Sequence, residues 1–71
     1  MDRNIQLRHL EQAEQHVRRG EKHIADQEQR IADLELLGHN TKSARSLLQT
    51  FRLVQAEHVA HRDRILKALR M

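Results

Sequence analysis

Between residues 9 and 35 the apolar positions return every seven residues: Leu10, Val17, Ile24 and Ile31. Each is followed three residues later by Ala13, Gly20, Gln27 or Leu34. This a and d pattern belongs to a helix built to lie against other helices. The rows beside it repeat as well. Glu14, Glu21, Glu28 and Glu35 follow the d positions, while His9, His16, His23 and then Arg30 precede the a positions. No breaker interrupts the period before Leu37, so a first helix is predicted over about 3–37, roughly 50 Å long at the helical rise. Asp2 is its expected cap, with Asn4 as a later alternative. Pairs four residues apart, such as Glu14 with Arg18 and Asp26 with Arg30, add tenths of a kcal/mol each on the solvated face.

The period stops at Gly38-His39-Asn40-Thr41. Glycine there can take the left-handed conformation that closes a helix, and Asn40 or Thr41 can cap the next one. So short a connection returns the second helix, about 41–70, antiparallel to the first. The predicted fold is all-α, one helical hairpin spanning 1–71 with its turn at 38–41. Ala44, Leu47, Leu48, Phe51, Val54, Ile65 and Leu69 fall on one side of the second helix, with Val59 and Leu66 at the margin. Counting outward from the turn, facing residues have numbers summing to about 79. Ile24 is then expected near Val54, Ile31 near Leu47 or Leu48, and Leu10 near Leu69. That apolar face is wider than a two-helix seam requires. A second copy would complete it as a homodimeric four-helix bundle, whose core is expected to hold Leu10, Val17, Gly20, Ile24, Ile31, Leu34, Leu47, Leu48, Phe51, Val54, Ile65 and Leu69.

Size and composition reinforce that expectation. A chain of 71 residues with one Phe, no Trp, no Tyr and no Cys has neither large aromatic anchors nor disulfides to offset the entropy of ordering it. Long helices and self-association remain as supports. No apolar run approaches the ~20 residues that span a bilayer, and no apolar signal segment opens the chain. A cytoplasmic protein is the default expectation. An interfacial membrane helix fits poorly, since Gln55, His58 and Arg62 interrupt the apolar face of the second helix.

Gly20 inside a helix costs about 1 kcal/mol relative to alanine. Under the counted register it faces residues near 59, which predicts that it makes room for His58 and His61. His16 and His23 are placed at the same level, and Glu57 is placed to meet His23. Imidazoles at such spacing are ligands for zinc or copper, which makes His16, His23, His58 and His61 weak metal candidates. No paired E-x-x-H pattern of the di-iron bundles is present, and the alternative is a polar layer that fixes register. No cofactor is expected.

Charge divides unevenly. Residues 1–40 carry −2 and residues 41–71 carry +5, giving the overall +3. The glutamate row can face Arg45, Arg52 and Arg62, or else Lys42, Arg45, Arg52, Arg64, Lys67 and Arg70 can offer phosphates a basic surface. In size and layout the chain resembles the Rop-type dimeric helical hairpins, plasmid copy-number regulators that bind RNA, but no RNA-contacting motif matches residue by residue. The stretch EKHIADQEQRIADLELLGHNTKSARSLLQTF also resembles small helical-hairpin proteins of soil bacteria, in its His-Ile-Ala heptads, its Gly-His-Asn-Thr turn and its Ser-Leu-Leu-Gln-Thr-Phe start. That resemblance implies a fold and no activity. Thr41, Ser43, Ser46 and Thr50 cluster where capping explains them, and no phosphate-cradling glycine loop exists, so catalysis is not expected. The sequence therefore predicts an interaction or scaffold module, with a small nucleic-acid-binding regulator as the alternative and a histidine-based metal-binding bundle as the second alternative.

Overall fold

The computed structural model describes residues 2–70 as two helices packed antiparallel along their whole length, α1 (Arg3–Leu36) and α2 (Lys42–Arg70). The result is a rod 54 Å long and about 14 Å across. Both helix ends of the turn are capped as their residues dictate. The Gly38 N–H donates to the Glu35 carbonyl at 3.0 Å and the His39 N–H to the Leu34 carbonyl at 2.9 Å. Gly38 has φ of 73°, the left-handed position that this pair of closing bonds requires and that glycine occupies without steric penalty. Asn40 Oδ1 then accepts from the Lys42 N–H at 2.9 Å and starts α2. At the other end Asp2 accepts from the Asn4 N–H at 2.8 Å, so the first helix begins on its expected cap.

The helices mesh one turn away from the counted register. Gly20 lies against Gln55, His16 against His58 and His23 against Phe51, pairs whose numbers sum to 75 or 74 instead of 79. Leu36 and Leu37, outside the a and d positions of α1, are 86% and 71% exposed. The seam of α2 runs Ala44, Leu48, Phe51, Gln55, His58, Arg62, Ile65, Leu69, a heptad in which every residue is buried or half-buried. Leu47 and Val54, expected in the core, lie beside that seam at 45% and 46% exposure. A lone hairpin leaves their row uncovered.

Within the seam Ala13, Val17, Ile31, Leu48 and Ile65 are buried apolar residues, and Gln27 is buried with them. Leu10, Ile24, Leu34, Phe51 and Leu69 are half-buried. The Gln27 amide is satisfied across the seam, where Nε2 donates to the Ala44 carbonyl at 2.9 Å. No large side chain among the described residues is fully buried.

Candidate association face and histidine cluster

The two flanks of the seam differ in kind. On one flank the glutamate row meets arginines of α2: Arg45 pairs with Glu35 and Arg52 with Glu28, the latter at 3.8 Å. Arg62 does not join them. Its guanidinium reaches Asp63 at 3.0 Å on its own helix, and Asp26 likewise pairs with Lys22 at 2.9 Å instead of Arg30. These are solvated pairs worth well under about 1 kcal/mol each, so they define an edge more than they hold it.

The other flank is open. His9, His16, His23 and Arg30 run along α1, and Leu47, Val54 and His61 along α2, one heptad apart in each row. Between the rows lies an open groove of about 380 Å³ lined by His16, Arg19, Gly20, His23, Thr50, Phe51, Val54, Gln55 and His58. Two shallower depressions continue it toward the turn, bringing in Asp26, Gln27, Arg30, Leu34, Ala44 and Leu47.

Gly20 shapes the floor of this groove, though not for the residues expected. The side-chain amide of Gln55 occupies the space a Cβ at position 20 would need. Gln55 Nε2 donates to the Val17 carbonyl at 2.8 Å, while Oε1 is buried with no donor. Glycine is thus present because a polar side chain crosses the seam there. Substituting Gly20→Ala gains about 1 kcal/mol of helix propensity. It also displaces the flexible end of Gln55, losing a hydrogen bond worth about 0.5–1.5 kcal/mol. The two effects nearly cancel, so urea unfolding is expected to shift by less than about 1 kcal/mol, whereas Gly20→Ala on a Gln55→Ala background should show the full propensity gain. A single Gly20→Ala chain stabler than its parent by that full gain would show that Gln55 does not hold this place.

The histidines separate into a pair and its neighbours. His16 and His58 face one another across the helices with ring centroids 5.2 Å apart. His23 instead stacks obliquely near Phe51 at 5.9 Å, away from Glu57, and His61 is exposed one turn beyond His58. The four-histidine level expected around Gly20 is therefore two imidazoles, displaced with the register. Among the described residues no group of three or more His, Cys, Asp or Glu side chains is placed to hold a metal ion.

The chain matches no known family model, curated protein or solved structure. Its site is read from its own geometry. Of the six basic residues considered for phosphate contact, Arg45 and Arg52 face glutamates. Lys42 stands at the turn end of α2, and Arg64, Lys67 and Arg70 stand in its last two turns, so the six do not form one continuous patch. No helix among the described residues is long and apolar enough to cross a membrane.

Proposed function

We propose that the hairpin is a non-enzymatic self-association module, a scaffold that pairs with a second copy through the face carrying His16, His23, Leu47, Phe51, Val54 and His58. One observation carries this reading. The chain exposes 5752 Å² at a mass of 8.4 kDa, whereas a compact monomer of that mass exposes about 4,600 Å². The excess is on the order of 1,100 Å², and a stable interface removes about 800 Å² from each side. The groove face carries Leu47 and Val54 of that exposed apolar surface, and among the described residues no ion pair closes its edge. Laying one such face on its copy gives a four-helix bundle with a seam between layers as well as within them.

Light scattering across a concentration series at about pH 8 tests the reading. The expected mass is twice 8.4 kDa, and a folded particle of single-chain mass at all concentrations would remove it.

A further inference from the structure

The spacing of His16 and His58 is that of two ligands on one metal ion. Their ring centroids stand 5.2 Å apart with the planes inclined by 53°. Zinc holds imidazole nitrogens at about 2.0–2.1 Å in tetrahedral geometry, and the ring centre lies roughly 1.1–1.2 Å behind the nitrogen, so two ligating imidazoles have centroids about 5.2 Å apart. Among the described residues no third protein ligand converges on the pair. A tetrahedral ion held there keeps two positions for groups from outside.

The location says what fills them. His16 and His58 each lie within about one turn of the middle of their helices. A two-fold axis through the pair would therefore overlay nearly the full length of one groove face on its copy, and would bring the copy's two imidazoles to the same point. We propose that His16 and His58 are half of a divalent transition-metal site of the zinc class, completed by the same two residues of a second copy. The proposal rests on the self-association reading. It assigns the ion two structural consequences: it fixes the axis of the dimer and replaces repulsion between facing histidines with shared coordination. Ligating histidines also need an acceptor for their other ring nitrogen. The buried, donorless Oε1 of Gln55 lies on the adjoining turn of both helices, one turn before His58 and against Gly20.

The test uses the whole chain, stripped with EDTA and titrated with zinc chloride, then with cobalt(II) as a spectroscopic probe. The expected result is one zinc ion per two chains, a cobalt absorption spectrum of tetrahedral type, and dimerisation strengthened at least tenfold over the EDTA-treated chain. His16→Gln or His58→Gln should abolish uptake while circular dichroism stays helical, and His39→Gln at the turn should leave it intact. Uptake that survives His16→Gln or His58→Gln, a stoichiometry of one ion per chain, or an octahedral cobalt spectrum would each overturn the site. Dimers in EDTA that take up no zinc would overturn the site and leave the association reading standing. Single chains both in EDTA and with zinc would overturn both.

Discussion

Val54→Lys is expected to reduce the particle from two chains to one. Val54 is 46% exposed in the lone hairpin, where an ammonium group on a long flexible stem reaches water and the change costs no more than about 1 kcal/mol. Covered by a second copy, the same ammonium is desolvated beside His16, His23 and Arg19, which also line that groove, and no carboxylate replaces its water. An unpaired buried charge costs several kcal/mol, and two copies bring two of them, so the dissociation constant should rise by at least about a hundredfold. Leu53→Lys is the control. Leu53 is the more exposed at 65%, yet it points away from the seam, and the mass should not change. Light scattering of both variants decides the matter: a Val54→Lys chain that weighs what the parent weighs would place the interface elsewhere.

Ile31→Ala is expected to melt the hairpin itself. Ile31 is 7% exposed, one of five buried apolar residues among those described, and truncating a buried isoleucine costs about 2–5 kcal/mol. A domain of this size loses roughly 4–8 °C in melting temperature for each kcal/mol, so a fall of about 10–30 °C is expected in the helical circular dichroism signal. Alanine at Leu47, 45% exposed in the hairpin, should instead lower stability in a concentration-dependent way if, as proposed, a second copy buries it. A melt indifferent to Ile31→Ala would mean that the seam does not run where the structure draws it.

The hairpin was legible because its signals are local. A seven-residue period, a cap at Asp2 and a glycine followed by Asn40 each act within a few residues, and each appears where the sequence places it. The register was less legible. Counting from the turn assumes that the connection adds nothing to the stagger, and α2 in fact sits about one helical turn from that count. That single step explains the linked corrections: Leu47 and Val54 leave the seam, Gln55 enters it, Gly20 faces an amide instead of imidazoles, and His16 meets His58 while His23 meets Phe51. The sequence did hold a pointer. Ala44, Leu48, Phe51, Gln55, His58, Arg62, Ile65 and Leu69 keep strict three-and-four spacing, but three polar members hide it from a search for the most apolar face. The glutamate row opposite Arg45 and Arg52 was readable for the same reason the helices were, since long charged side chains tolerate a shift of one turn.

Under the proposed pairing, the Glu28–Arg52 and Glu35–Arg45 edge bears on how far association would proceed. A rod that was adhesive on both sides would stack head over tail into an open filament. Were the groove sides to meet, that edge would present hydrated acid and base, while Leu36 and Leu53 would stay exposed on the outer side. Growth past the proposed pair would then rest on such leucines and not on the charged edge.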